Sequence, residues 1–175
     1  AIAAMQRDFD SVRAQLAERG ADVNATGPYG TPPLHWIVRV EEHELAKRLL
    51  DAGADANLPT PLGLLPLHIA IENNDVAMVE LLLAHGADPA RADRTGEVPL
   101  HMAARAGSAE ITRLLLERGV AVDTREPAFE QTPLMVAARS GAADVAQLLV
   151  GKGADVNARA KAGQVPDFRL PGSNA

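Results

Sequence analysis

This chain repeats itself every 33 residues, and that period narrows what it can fold into more than any other feature. Pro33-Leu34-His35, Pro66-Leu67-His68 and Pro99-Leu100-His101 lead to a variant, Pro133-Leu134-Met135, and the four prolines stand 33, 33 and 34 residues apart. A glycine followed in most copies by Ala-Asp recurs at the same step, at Gly20, Gly53, Gly86, Gly119 and Gly153. A fixed period of this length marks a stack of small units. None of them can bury its apolar face alone, so the core must run through the stack and its stability is nearly a sum over units and interfaces.

Each unit reads as two helices and a loop. The proline suits a helix start, where its missing N–H costs nothing, and the glycine suits the position just past a helix end. Between the markers lies an aliphatic stripe at helical spacing: Val12 and Leu16, then Leu45, Leu49 and Leu50, then Val76, Val79, Leu82 and Leu83, then Ile111, Leu114 and Leu115. Asp22, Asp55, Asp88 and Asp155 recur at the period, so turn geometry explains them; the fourth copy, Gly119-Val120-Ala121, has lost its Asp. The proline-rich stretch 58–63 predicts an extended excursion. Glu130 stands where the loop glycines Gly30, Gly63 and Gly96 stand in other copies. Burying four or five aliphatic side chains per unit, at roughly 1.5–3 kcal/mol each, offsets much of the ordering entropy.

A 33-residue period carrying P-L-H-x-A resembles the ankyrin repeat, over nearly the whole chain. The resemblance implies an all-α solenoid of about five repeats with short hairpin-like loops. The expected repeats are 1–26, 27–59, 60–92, 93–125 and 126–159, within one domain spanning 1–162. Residues 163–175 begin a sixth unit that fails, with Asp167 where a core Leu belongs and Pro171-Gly172 blocking a helix. Long bacterial ankyrin arrays contain such segments, so the tail is expected to be either a makeshift C-terminal cover or the start of a linker; residue 1 is Ala, so the chain is expected to be processed or trimmed. Resemblance also implies that His35, His68 and His101 are structural, bonding loop backbone between neighbouring repeats. In the second repeat Ile37 and Val38, beside Trp36, replace the family's small Ala-Ala pair, which implies a wider gap to one neighbouring repeat.

Chemistry finds little to use. Hydrophobic residues make up 47% of the chain, enough to exclude disorder, while the net charge of −6 disfavours nucleic acid and anionic membrane as general partners. There is no cysteine, hence no disulfide, thiolate metal site or cysteine nucleophile, and the compartment stays open between cytoplasm and export. No apolar run approaches the roughly 18 residues of a membrane span. Histidines in adjacent repeats, about 8–10 Å apart, cannot share a zinc ion that holds each ligand at about 2 Å. His43 and His85 are expected to be solvated. Ser11, Ser108, Ser140 and Ser173 lie in no nucleophile turn, and the glycines are too dispersed for a phosphate loop. The reading is therefore of a non-enzyme without cofactor or metal.

What remains is surface. Ankyrin proteins hold partners with loop tips and with two exposed positions late in the first helix. Carried onto this chain, the helix positions are Gln6 and Arg7, Arg39 and Val40, Glu72 and Asn73, Arg105 and Ala106, and Arg139 and Ser140. The tips are Tyr29 and Thr31, Leu62 and Leu64, Arg94, Thr95 and Glu97, and Phe129 and Gln131. The framework repeats and these positions do not. Arg39, Arg105 and Arg139 make a basic stripe on an acidic molecule, and Tyr29, Leu62, Leu64 and Phe129 put apolar groups on tips that folding alone would leave polar. The expectation is a protein partner of unknown identity with an acidic, partly apolar segment. The alternatives are a structural module that self-associates through open terminal repeats, a segment of a larger array, or a regulatory domain of an adjoining enzyme.

Overall fold

Helices of seven to nine residues are too short to hold in water alone, so packing has to carry them. The computed structural model describes residues 2–6, 8–17, 22–27 and 29–161. Among the described residues the order is α1 (Ile2–Met5), α2 (Phe9–Ala17), α3 (Pro33–Arg39), α4 (His43–Asp51), α5 (Pro66–Glu72), α6 (Val76–Ala84), α7 (Pro99–Ala106), α8 (Ala109–Glu117), α9 (Pro133–Arg139) and α10 (Ala143–Gly151). They form five helix pairs in an all-α solenoid. Odd-numbered helices stack on one another in one layer and even-numbered helices in a second. Neighbours in the odd layer are in more extensive contact than those in the even layer; the odd layer, with the hairpins that precede its helices, is the inner layer.

The prolines head α3, α5, α7 and α9. One apolar core runs through the first four pairs, with Ile37, Leu67, Leu82, Leu100 and Leu115 fully buried. A smaller cluster of Ala104, Val136, Ala137, Val145, Leu149 and Ala154 serves the fifth, and Leu116 packs against both. After α4, α6, α8 and α10 the chain turns through Gly53, Gly86, Gly119 and Gly153, all with positive φ. Each periodic Asp then accepts a backbone N–H two residues on, at 2.7–2.9 Å: Asn24 to Asp22, Asn57 to Asp55, Ala90 to Asp88 and Asn157 to Asp155.

Two expectations need correcting. The stretch 58–63 is not an open excursion, because Thr60 and Leu64 bond across it at 2.9 Å and Gly63 N–H closes on Thr60 O at 2.8 Å. The proline at Pro61 sits in that turn. Nor are His43 and His85 simply solvated. His43 Nε2 is 2.9 Å from Asp75 Oδ1 and His85 Nε2 is 3.1 Å from Asp51 Oδ1, so each reaches an aspartate of the neighbouring pair. Gly20, Arg7 and the tail 163–175 lie outside the described residues.

Candidate functional site

Four hairpins of one design line the inner side. In each, the N–H of the first residue bonds the carbonyl of the last: Gly27 to Thr31, Thr60 to Leu64, Asp93 to Glu97 and Glu126 to Gln131, at 2.9–3.4 Å. Where the opening residue has an oxygen, it returns the bond. Thr60 Oγ1 accepts from Leu64 N–H at 3.1 Å and Asp93 Oδ1 from Glu97 N–H at 3.0 Å. Glu126 accepts from Ala128, Phe129 and Gln131. Burial pushes both carboxylates up, but hydrogen bonds prevail and hold them below the usual carboxylate range: at Asp93 the Thr95 hydroxyl with the N–H groups of Thr95 and Glu97, and at Glu126 the three N–H groups.

The tips are stacked tightly. A Cβ on Gly30 would lie 2.5 Å from Pro61, one on Gly63 2.3 Å from the stem of Arg94, and one on Gly96 2.3 Å from Pro127. Only glycine combines that approach with a positive φ. The fourth of these hairpins is one residue longer, and Glu130 takes the left-handed position there (φ 54°).

His35, His68 and His101 are buried at the hairpin bases. His35 Nε2–H donates to Leu64 O at 3.0 Å and His101 Nε2–H to Gln131 O at 2.9 Å, both in the next hairpin. His68 reaches Arg91 O instead, at 3.0 Å. The Nδ1 atoms of all three are buried without a partner. Burial drives the His35 pKa down to about 4, with the bond to Leu64 opposing it and the charge of Arg39 adding to the fall. His101 is lowered by burial in the same way, against its bond to Gln131.

Among the described residues, three clefts lie between hairpins and inner helices. The first, about 430 Å³ between the second and third pairs, brings together Tyr29, Thr31, Arg39, Leu62 and Leu64 over a floor of Trp36 and Ile69. A second, about 360 Å³, lies between the tips of Leu62 and Arg94. The third, about 200 Å³ between the fourth and fifth pairs, gathers Glu97, Phe129, Gln131 and Arg139 with Val136. Tyr29 is 72% exposed, Leu62 74% and Phe129 52%. Leu64 differs from them, being half-buried against the core.

Val40, Glu72, Asn73 and Arg105 line none of these three clefts. Asn73 Nδ2–H reaches Val38 O and Arg39 O, each at 3.4 Å, closing the end of α3. Arg105 bonds Glu97, so the middle of the basic stripe is internally paired. Among the described residues Arg39 and Arg139 make no ion pair. The sequence reading passed over Trp36 as a cleft wall and Pro61 as the lid on Gly30. The asparagine two residues after the periodic Asp, recurring at Asn24 and Asn57, suits the turn by sequence but also reaches the next repeat, which the local pattern does not show. Asn57 Oδ1 accepts from Asp88 N–H at 2.8 Å, and its Nδ2–H donates to Gly86 O at 2.7 Å.

Among the described residues no group of three or more His, Asp or Glu stands close enough to hold a metal ion, and no helix is long and apolar enough to cross a membrane. A family model described as ankyrin repeats (3 copies) matches residues 1–93 and 89–160. No curated protein matches the chain.

Proposed function

The chain belongs to the ankyrin-repeat family, whose members are protein–protein interaction modules, and on that premise we propose that it is a non-catalytic scaffold holding a protein partner on its concave inner face. Residues 1–162 act as one binding unit in this reading, with His35, His68, His101 and the turn glycines as framework. One observation carries it: Tyr29, Leu62 and Phe129 stand exposed on the tips of hairpins that close through bonds of their own backbone. Folding gains nothing from apolar groups held in water, whereas aromatic side chains and arginine are the usual anchors of interfaces. Arg39 and Arg139 add positive charge to an acidic molecule, so the partner surface is acidic as well as apolar, and added salt should weaken the complex.

The test is a pull-down with wild type beside Tyr29→Ser and Phe129→Ala, each first shown to keep the wild-type melting temperature. Loss of the same partner from both variants supports the reading. Identical partner lists, together with light scattering that rises with concentration, would replace it with a self-stacking module.

A further inference from the structure

We infer that the partner offers an extended segment read at two points, each a large apolar side chain beside a carboxylate, about five or six residues apart. This deepens the protein-binding reading above and rests on it.

The inference follows from which charges are free. In the cleft between the second and third pairs, Arg39 is, among the described residues, the only one with a permanent charge on the lining, and among them it has no ion-pair partner. Around it are Tyr29, Trp36 and Leu62, so the cleft presents apolar walls and a single cation. The cleft between the fourth and fifth pairs looks mixed, with Glu97, Glu126 and Arg139 on its wall. Both its carboxylates are already engaged, however. Glu97 is held by Arg105, and Glu126 accepts three backbone N–H bonds. What a ligand meets there is Phe129 and the uncommitted Arg139 over a floor of buried Val136, the same chemistry as in the first cleft. The inner helices between them offer no free cation, since Arg105 is paired and the equivalent position on α5 is Glu72. Arg94 also makes no ion pair among the described residues, but the cleft it lines with Leu62 and Leu64 holds Asp93 as well, so that cleft has no net positive charge and is not a third point.

The two clefts are two repeats apart, about 16–20 Å at ordinary helix spacing. An extended chain covers that in about five or six residues at roughly 3.3 Å each. A segment engaging both points gains by effective concentration without new contacts, whereas one that fits a single cleft does not.

Fluorescein-labelled peptides in a glycine–serine background test this by anisotropy on the full chain. They carry one Glu-Phe-Glu triplet, two such triplets with the phenylalanines about three, six or ten residues apart, or Lys-Phe-Lys triplets as controls. The expected result is binding at least about 10-fold tighter for the six-residue spacing than for a single triplet, with the gain lost in Arg39→Gln and in Arg139→Gln at unchanged melting temperature. Equal affinity at all spacings, equal binding of the lysine peptides, or indifference to both substitutions overturns the inference. A parallel selection from a displayed random-peptide library separates it from the broader reading. Binders lost with Tyr29→Ser and Phe129→Ser but lacking paired acidic–apolar points leave the scaffold standing and remove the two-point rule. Binders that ignore every inner-face substitution remove both.

Discussion

The seam between the second and third helix pairs and the seam between the third and fourth join the same kinds of element with different chemistry. At the first, Asn57 bonds both Asp88 N–H and Gly86 O. His43 and His85 reach Asp75 and Asp51 across it in opposite directions, Asn73 closes α3, and His35 bonds Leu64 O. At the second, the position of Asn57 is held by Ala90 and that of His85 by Arg118. Arg118 donates to Leu83 O at 2.6 Å and His68 to Arg91 O, and apolar packing supplies the rest. Both seams share one core. The contrast teaches that the repeat's apolar stripe is enough to keep the stack in register, and that polar bonds decide how firmly a given seam is closed.

The largest effect should come from what the seams share. Leu82 on α6 is fully buried, and α6 packs on both α4 and α8. Leu82→Ala removes transfer energy and leaves a cavity, at a cost of about 2–5 kcal/mol. Denaturant unfolding with hydrogen exchange should show both seams loosened together. A loss confined to one seam would mean that the two do not share a cooperative core.

Acid should separate them next. His35 has a folded pKa of about 4 against 6.5, so between those values the unfolded state binds more protons and stability rises with pH. Its contribution is fully present above about pH 6.5 and is lost as pH falls toward 4, a change of roughly 3 kcal/mol. Asp93 and Glu126 shift downward, so what they contribute is lost only at still lower pH, as their carboxylates protonate. Melting temperature across this range should fall in wild type and fall less steeply in His35→Gln, where His101 still contributes. An unchanged slope in the variant would remove His35 as the cause.

How much of this was legible depends on sequence distance. The helices, their proline starts and the apolar stripe were readable because their causes lie within a few residues and recur. The exposed tips Tyr29, Leu62 and Phe129 were readable because they break the pattern of a polar loop. The seam bonds were not, since Asn57 and Asp88 are 31 residues apart and His43 and Asp75 are 32 apart, and no local rule pairs them. For the same reason Arg105 looked as free as Arg39 until Glu97, eight positions earlier on a different element, was found against it. Asn73 occupied a binding register and is in use as a cap.

Asn57→Ala should make the first seam resemble the second. It strands Asp88 N–H and Gly86 O, both near solvent, at a cost of about 1–3 kcal/mol. Exchange should quicken in the turns around residues 53–58 and 86–90 ahead of the helices. A cost no larger than that of an ordinary surface substitution would show that the clamp is redundant with the histidine–aspartate pairs.

The smallest effect, and the sharpest test of the comparison, is the reverse change, Ala90→Asn. The backbone is already shaped for it. Ala90 N–H bonds Asp88 Oδ1 at 2.9 Å, as Asn57 N–H bonds Asp55 Oδ1 at 2.7 Å. Across the seam, Ala121 lacks the carboxylate of the other copies but keeps the turn, since Thr124 N–H reaches Ala121 O at 3.3 Å, just as Leu58 N–H reaches Asp55 O at 3.3 Å. The acceptor an asparagine needs, Gly119 O, follows a glycine with the φ of its counterparts, 83° against 84° at Gly86. Ala90 is exposed, so the substitution removes no packing. Two new bonds to partly solvated groups should add about 1 kcal/mol, read as a higher unfolding midpoint and slower exchange in the turn at 119–123. If Ala90→Asn gains nothing while Asn57→Ala costs what is expected, the third and fourth pairs are set at a different separation, and Arg118 is the bond that fits it.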